Sequence, residues 1–141
     1  MKLPRTVNIT EVGPRDGLQS VTKLISTDDK VALVDAISET GVGSIEVTSF
    51  VSPKAVPQHA DARDLLERIK RKAGVKYRVL VPNLVGARRA VDSGADEIVF
   101  VLSASETHNL NNVRRSIFDS LTEFESVVDC ANRGGIESVS V

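Results

Sequence analysis

The chain alternates between short runs rich in apolar, often β-branched residues and longer segments whose apolar residues recur at helical spacing. The short runs predict five β-strands, because such runs bounded by turn residues are typical of strands. The predicted strands lie at residues 7–11, 44–48, 77–81, 97–102 and 138–141. The fourth run is almost continuously apolar, which is expected of a strand that is covered on both faces.

Each of the first four predicted strands is followed by a segment with one apolar helical face. Ser26 and Asn83 precede two of these segments and predict helix N-caps. The basic residues 70–72 predict the solvated end of the second helix, and the polar residues 103–112 predict a loop. The apolar faces comprise Val31, Val34 and Ile37; Ala62, Leu65, Leu66 and Ile69; Leu84, Ala87, Ala90 and Val91; and Ile117, Phe118, Leu121, Phe124, Val127 and Val128.

This alternation predicts an α/β fold of parallel βαβ units with right-handed crossovers. Five strands cannot close an eight-stranded barrel, which typically needs about 250 residues. We therefore expect residues 1–141 to form the N-terminal part of a (β/α)8 TIM-barrel domain that stops within strand five. A self-contained, flavodoxin-like sheet of five strands is the structural alternative.

The amino-acid composition excludes several classes of partner and of metal site. The 141 residues carry 18 Lys and Arg against 19 Asp and Glu, a net charge of -1, and no basic run interleaves with aromatic residues. This balance argues against a nucleic-acid partner. The lack of a long apolar run or a signal-peptide pattern predicts a soluble, cytoplasmic protein without a membrane partner. The single cysteine, Cys130, excludes an internal disulfide and a multi-cysteine zinc site, and we expect it to be a buried small hydrophobe.

Polar residues follow four consecutive predicted strands. Arg15 and Asp16 come after the first strand at a Gly13-Pro14 turn, Glu46 lies in the second strand with Ser49 just after it, Asn83 follows the third, and residues 103–108 follow the fourth. Because the carboxyl ends of barrel strands form the active face, these groups should share one rim. Arg15 and Asp16 could instead be an ordinary surface ion pair.

The residue types suggest roles. Asp16 would be a hard oxygen ligand for a divalent cation, although such an ion needs further ligands. Arg15 could bond a thioester oxygen as negative charge develops there. Glu46 could position Arg15 or a metal-bound group, or could pair with an unrelated cation. The role of Glu11 remains open.

The two histidines are far apart in the sequence and do not form a local metal-binding pair. His59 lies in a polar stretch, and we expect it to be solvated. His108 lies in the segment after strand four, where it could contact a substrate or simply face solvent. Arg114 and Arg115 are most simply solvent-facing, although a coenzyme A phosphate could attract them.

Three blocks, read together, closely resemble the hydroxymethylglutaryl-CoA lyase family. They are Glu11-Val12-Gly13-Pro14-Arg15-Asp16-Gly17-Leu18-Gln19, Ile45-Glu46-Val47-Thr48-Ser49-Phe50-Val51-Ser52-Pro53-Lys54 and Leu80-Val81-Pro82-Asn83-Leu84. The resemblance implies a (β/α)8 barrel that uses a divalent cation, Mg2+ or Mn2+, to cleave 3-hydroxy-3-methylglutaryl-CoA (HMG-CoA) to acetyl-CoA and acetoacetate.

The resemblance also implies residue roles. Asp16 matches the metal-binding aspartate, and Arg15 matches the arginine that stabilises the enolate of the departing acetyl thioester. Glu46 matches the catalytic acidic residue of the second strand. Gln19 and Ser49 match polar residues at the substrate. The expected partner is therefore an acyl-CoA substrate.

Two departures from the family pattern limit these expectations. The family's remaining metal ligands, a His-x-His pair and an asparagine, and its mobile-loop cysteine are absent from this sequence, so we expect residues 1–141 alone to be inactive. The segment after strand four and Thr22-Lys23 also differ, which leaves the acyl group open. Alternatives are a Claisen-type synthase of a related barrel family and a non-catalytic half-barrel that associates, for example as a homo-oligomer, through its exposed edges.

Overall fold

The computed structural model describes residues 4–141 and contains one sheet of five parallel strands. The strands are β1 (Thr10–Glu11), β2 (Ser44–Ser49), β3 (Lys76–Val81), β4 (Glu97–Phe100) and β5 (Ser138–Ser140). Their order in the sheet is β1-β2-β3-β4-β5. Consecutive units of a (β/α)8 barrel pair in this order, whereas a flavodoxin-like sheet has the order 2-1-3-4-5. The barrel prediction is confirmed, and the flavodoxin-like alternative is wrong.

Within residues 4–141, five α-helices and two tight turns accompany the strands. The helices are α1 (Thr27–Ser38), α2 (Ala62–Arg68), α3 (Leu84–Asp92), α4 (Glu106–Val113) and α5 (Ile117–Arg133). A π-helical turn at Gly13–Gly17 follows β1, and a 3-10 turn at Pro57–His59 lies between β2 and α2. Nowhere in residues 4–141 does a helix combine the length and apolarity needed to cross a membrane.

The predicted helix caps are confirmed. The Ser26 Oγ accepts a hydrogen bond from the backbone N–H of Asp29 at 3.2 Å, and the Asn83 Oδ1 accepts one from Gly86 at 2.9 Å. Each cap satisfies one of the backbone donors that the first turn of a helix leaves without a partner. Helix α2 ends earlier than predicted, at Arg68, so the basic residues 70–72 follow the helix instead of forming its last turn.

Two predictions about local structure are wrong. Residues 103–112 do not form a loop, because Ser105 caps α4 by accepting a bond from the backbone of His108 at 3.3 Å. Strand β1 contains only two residues, and Val7 and Ile9 are 73% and 70% exposed. The short strand lies at an edge of the sheet, so the alternating pattern at residues 7–11 has only one neighbouring strand to pair with.

The two faces of the sheet differ. The face that packs on the helices is apolar, and its residues in β2, β3 and β4 are 2% exposed or less: Ile45, Val47, Tyr77, Val79, Val81, Ile98 and Phe100. Burying each such side chain contributes about 1.5–3 kcal/mol. On the opposite face Arg78 donates to Ser140 Oγ at 2.9 Å and pairs with Glu97 at 3.4 Å. The apolar face therefore orders the strands and fixes where their carboxyl ends lie.

Helix α5 is only partly covered. Val127 and Ala131 are fully buried, and the Phe124 ring packs on Phe100 with a centroid separation of 5.4 Å. Phe118 and Leu121, which were predicted on the same apolar face, are 76% and 46% exposed. Cys130 is partly buried against the core, as expected for a small hydrophobe, although its burial is incomplete.

Candidate active site

The Gly13–Gly17 turn begins just beyond the carboxyl end of β1 and presents two charged side chains. Its backbone is closed by bonds from the N–H groups of Arg15 and Asp16 to the Val12 carbonyl, at 3.1 and 2.7 Å. The Glu11 Oε1 accepts a bond from the Gly13 N–H at 2.6 Å. Glu11, whose role the sequence left open, thus holds the turn that carries Arg15 and Asp16.

Glu46, Arg15 and Asp16 form a row of alternating charges that runs from the interior to the surface. The Arg15 Nε donates to Glu46 Oε1, and its Nη1 donates to Asp16 Oδ1 at 2.7 Å. The exposed fractions of the three side chains are 6%, 16% and 60%. The predicted contact between Glu46 and Arg15 is confirmed, so Glu46 does not pair with an unrelated cation.

An irregularity in β2 accompanies this contact. The register with β3 shifts between Glu46 and Thr48, so Val47 is an extra residue on the β2 side. Bulges of this kind re-aim side chains and are common beside active sites. Residues 45–49 are all buried, and within this run Glu46 still reaches the Arg15 guanidinium.

His59 is buried, contrary to the prediction that it is solvated. It is 3% exposed, its Nδ1 lies 2.5 Å from Ser49 Oγ, and its Nε2 lies 3.2 Å from the Arg15 carbonyl oxygen. Burial lowers the pKa of His59, and the nearby positive charges of Lys30 and Arg15 act in the same direction. Ser49 is itself fully buried, and its hydroxyl contacts His59. The predicted contact between Ser49 and a substrate stays a prediction.

Gln58, the residue before His59, holds the later part of the segment between β1 and α1. Gln58 donates from Nε2 to the carbonyls of Val21 and Lys23, at 2.9 and 2.6 Å, and its Oε1 accepts from the Ile25 N–H at 3.2 Å. It is 3% exposed. The Pro57–His59 turn therefore holds both ends of the segment between β1 and α1, from Arg15 to Ile25.

Lys30 anchors the Pro57–His59 turn to helices α1 and α2. It is 4% exposed, donates to the Gln58 carbonyl and pairs with Asp61 Oδ1 at 2.9 Å. Sequence reasoning missed Gln58 and His59, because a polar stretch resembles a solvated loop. It missed Lys30, which lies in α1, because a lysine is rarely buried unless it is paired. The available signal was Pro57 beside Val56, since a proline at the first position of a turn fixes a backbone that can pack inward.

Gln19 is exposed two residues after the Gly13–Gly17 turn. The other rim residues serve the local structure. Asn83 caps α3, and the Ser103 N–H donates to Asn109 Oδ1 at 3.0 Å. His108 is exposed on α4, and its contact with a substrate stays a prediction. Among the predicted site residues, the side chains that contact one another directly are therefore Arg15, Asp16 and Glu46, from the segments around β1 and β2.

The prediction that Arg115 simply faces solvent is wrong. Its Nη2 donates to the Pro82 carbonyl at 2.5 Å, and its Nη1 lies 3.7 Å from Glu123 Oε2. It ties the start of α5 to the end of β3. Its neighbour Arg114 is exposed, as expected.

Asp16 fits one position in the coordination shell of a hard divalent cation. Its carboxylate is 60% exposed and only Oδ1 contacts Arg15. Across residues 4–141, however, no group of three or more His, Cys, Asp and Glu side chains is placed to hold a metal ion. Mg2+ and Mn2+ need several oxygen or nitrogen ligands, so these residues supply part of a metal site at most.

Two named proteins are similar to this chain over almost its whole length. The chain is 49% identical over 135 residues to a zebrafish protein named cytoplasmic 3-hydroxy-3-methylglutaryl-CoA lyase, and covers 40% of it. It is 45% identical over 134 residues to human mitochondrial hydroxymethylglutaryl-CoA lyase, and covers 41% of it. These regions are 96% and 95% of this chain.

The chain is also similar to a solved structure of a lyase with the same name. An HMG-CoA lyase from Acinetobacter baumannii, in complex with coenzyme A and 3-methylmalate, superposes with a TM-score of 0.88 at 41% identity, over 94% of this chain and 44% of that one. The chain thus spans less than half the length of the relatives it matches. The HMGL-like family model matches residues 6–141. With almost the whole sequence matched and the strand order of a barrel, the chain belongs to the HMGL-like family.

Proposed function

We propose that this chain is part of a metal-dependent carbon–carbon lyase that cleaves HMG-CoA, or a similar 3-hydroxyacyl-CoA, to acetyl-CoA and acetoacetate. The observation that carries the proposal is the Glu46–Arg15–Asp16 row, which places a guanidinium and an exposed carboxylate side by side at the carboxyl ends of β1 and β2. Active sites of barrel enzymes lie at this end of the sheet.

The reaction requires a group that stabilises negative charge on the thioester oxygen. A base removes the proton of the C3 hydroxyl, the C3 oxygen becomes the ketone of acetoacetate as the C2–C3 bond breaks, and the electrons of that bond collect on the thioester oxygen as an enolate. The enolate then takes up a proton at C2 and leaves as acetyl-CoA. Arg15 uses its Nε hydrogen for Glu46 and one Nη1 hydrogen for Asp16, so the two Nη2 hydrogens and the second Nη1 hydrogen are the ones that would donate to this oxygen. A fixed donor aimed at developing charge usually makes the largest single contribution to such a reaction.

Glu46 would keep the guanidinium in place. Because it is buried and bonded to Nε, it limits the orientations of the Arg15 side chain before the substrate arrives. Such preorganisation avoids a loss of side-chain freedom during the reaction.

Asp16 would be one ligand of a divalent cation, Mg2+ or Mn2+. When bound, such an ion lowers the pKa of a coordinated hydroxyl and so eases the removal of its proton. Because residues 4–141 contain no complete ligand group, the other ligands would come from the part of the barrel that this chain does not cover. Residues 1–141 alone should therefore show little or no turnover.

The named relatives also bear on the substrate and the cellular location of this protein. The A. baumannii lyase is in complex with coenzyme A, which supports an acyl-CoA substrate here. The zebrafish relative, at 49% identity, is named cytoplasmic and the human relative, at 45% identity, is named mitochondrial; because the first is the more similar of the two, we infer the cytoplasm for this protein. Phe118 and Leu121 are exposed on α5, which supports association through the uncovered faces of the half-barrel, for example as a homo-oligomer.

A hybrid barrel tests the proposal. Residues 6–141 would replace the matching segment of the A. baumannii lyase, and the release of acetyl-CoA and acetoacetate would be measured with and without Mg2+ or Mn2+. We expect metal-dependent cleavage in the hybrid and little in residues 1–141 alone. Full turnover by residues 1–141 would contradict our account of the metal ligands. A folded hybrid that instead condenses acetyl-CoA with a 2-oxo acid would favour the synthase alternative.

A further inference from the structure

The imidazole of His59 bridges two segments that carry the proposed site. Its two ring nitrogens contact Ser49, the last residue of β2, and the backbone of Arg15 in the Gly13–Gly17 turn. The ring is 3% exposed and Ser49 is fully buried, so neither group is placed to meet a substrate. His59 can therefore influence the site only by holding the residues that form it, Ser49 and Arg15.

The partners of the ring fix its protonation. The carbonyl oxygen of Arg15 can only accept a hydrogen bond, so Nε2 must carry a proton and donate to it. In the neutral ring Nδ1 then accepts the hydroxyl hydrogen of Ser49. The charged groups around the ring are Lys30, Arg15 and Asp61. Burial, the largest effect, and the two cations lower the pKa of His59, and they outweigh the bond to the Arg15 carbonyl and the charge of Asp61, which raise it, so the neutral form is favoured.

Arg15 is consequently held at two points. Glu46 fixes its side chain at Nε, and His59 fixes its backbone at the carbonyl. A side chain whose two ends are both held has few orientations left, and a displacement of about 1 Å at a catalytic group can cost about 100-fold in rate.

We propose that His59 is a positioning residue that, through its Nε2–H bond to the Arg15 carbonyl, aims the Arg15 guanidinium at the thioester oxygen. Ser49 orients the imidazole, because its hydroxyl hydrogen is committed to Nδ1. The positioning role rests on the proposed lyase function, whereas the two contacts of the ring can be tested without it.

The first test is spectroscopic and uses residues 1–141. The sequence has two histidines, so the imidazole nitrogen signals that disappear in His59→Gln belong to His59. At pH 7 we expect the neutral tautomer with the proton on Nε2, and we expect Ser49→Ala to shift the Nδ1 signal while the tautomer is kept. A proton on Nδ1, or an imidazolium ion at pH 7, would overturn the proposal.

The second test separates the two contacts with a matched pair of variants. In His59→Gln the amide nitrogen can replace Nε2 and still donate to the Arg15 carbonyl. In His59→Asn the shorter amide can still accept from Ser49 but cannot reach Arg15. We expect the Nε–H signal of Arg15, which reports its bond to Glu46, to stay in His59→Gln and to move or broaden in His59→Asn. Equal behaviour of the two variants would contradict a role through the Arg15 backbone.

The third test reads the consequence for catalysis in the hybrid barrel. We expect His59→Asn to lower kcat by about 10–100-fold at a nearly unchanged KM, and His59→Gln to stay within about 3-fold of the parent, because only the first loses the backbone anchor. A purely structural role would lower the folded fraction and leave kcat per folded molecule unchanged, which would overturn the proposal. An inactive parental hybrid would count against the proposed function, while the spectra still decide the contacts of His59.

Discussion

Two buried polar residues, His59 and Asn109, each organise a segment at the carboxyl end of the sheet, with different kinds of partner. Asn109 is fully buried; its Oδ1 accepts from the Ser103 N–H, and its Nδ2 donates to Arg115 and Ser116 carbonyls at 3.0 and 3.1 Å. Its remaining bond, to Ser120 Oγ, is 2.7 Å long and also buried. All the side-chain partners of Asn109 thus lie in the segment from Ser103 to Ser120, whose fold they stabilise.

The network around His59 continues to the surface. From the ring it passes to Arg15, and from Arg15 to Glu46 on one side and Asp16 on the other. It ends at a carboxylate that is 60% exposed. In both cases a buried polar residue orders its surroundings, but of these two networks only the one around His59 ends in an exposed charged group that a ligand can reach.

The largest expected effect is a loss of kcat when Arg15, the residue of the His59 network proposed to contact the substrate, is changed. Arg15→Lys keeps the positive charge but cannot bond Glu46, Asp16 and a thioester oxygen at once, because an ammonium lacks the planar fork of a guanidinium. We expect kcat of the hybrid barrel to fall by about 100- to 1,000-fold, the usual cost of losing an aimed donor. Arg68→Lys, at an exposed arginine of α2, is the matched control and should leave kcat unchanged. An active Arg15→Lys hybrid would remove the basis of the proposed function.

The Asn109 network should respond in the opposite way. Asn109→Ala leaves the partners of four hydrogen bonds, one of them buried and three partly buried, without a side chain to bond, and we expect the free energy of unfolding to fall by about 2–3 kcal/mol. The kcat of the folded fraction should not change. Asn111→Ala, at an exposed position of the same helix, should stay within about 0.5 kcal/mol of the parent in urea unfolding. A specific loss of kcat in Asn109→Ala would erase the distinction between the two networks.

Glu46→Gln should weaken the aim of Arg15 without removing its guanidinium. The amide oxygen can still accept from Nε, but the bond is no longer between two charges, and such bonds are about half as strong. We expect kcat to fall by about 10-fold, or about 1.4 kcal/mol in activation free energy. Glu97→Gln provides the comparison, since Glu97 also pairs with an arginine, Arg78, on the polar face of the sheet. A loss of kcat as large in Glu97→Gln would point to a general effect of charge.

The smallest expected effect is on pH dependence. The pKa of His59 is lowered from 6.5, so the unfolded chain binds a proton more readily than the folded chain between the folded pKa and 6.5. The stability that this residue contributes is therefore complete above about pH 6.5 and is lost as the pH falls toward the folded pKa.

Urea unfolding at several pH values checks this sign. The free energy of unfolding of the parent, relative to His59→Gln, should decrease as the pH falls below 6.5. A difference that does not vary with pH, or one that increases in acid, would contradict a buried, neutral His59.

Local sequence pattern was sufficient for the elements and for much of the candidate site. Four of the five predicted strands are close to their observed bounds, and Ser26 and Asn83 cap the helices as expected. The reason is that strand and helix periods are short and that a cap acts within three residues. The blocks around Arg15 and Glu46 also marked the site, because charged residues at strand ends are rare in a core.

Only the tertiary structure decided which of the polar residues contact one another. Arg15 and Glu46 are 31 residues apart in the sequence, and His59 is 44 residues from Arg15, so no periodic pattern links them. Whether His59 faced solvent or the interior depended on the Pro57–His59 turn packing against β2 and on Lys30 holding that turn. The sequence by itself determined the elements and the chemistry available at their ends. The packing of distant segments determined which of those groups became a site, because burial and hydrogen-bond partners are properties of the assembled sheet.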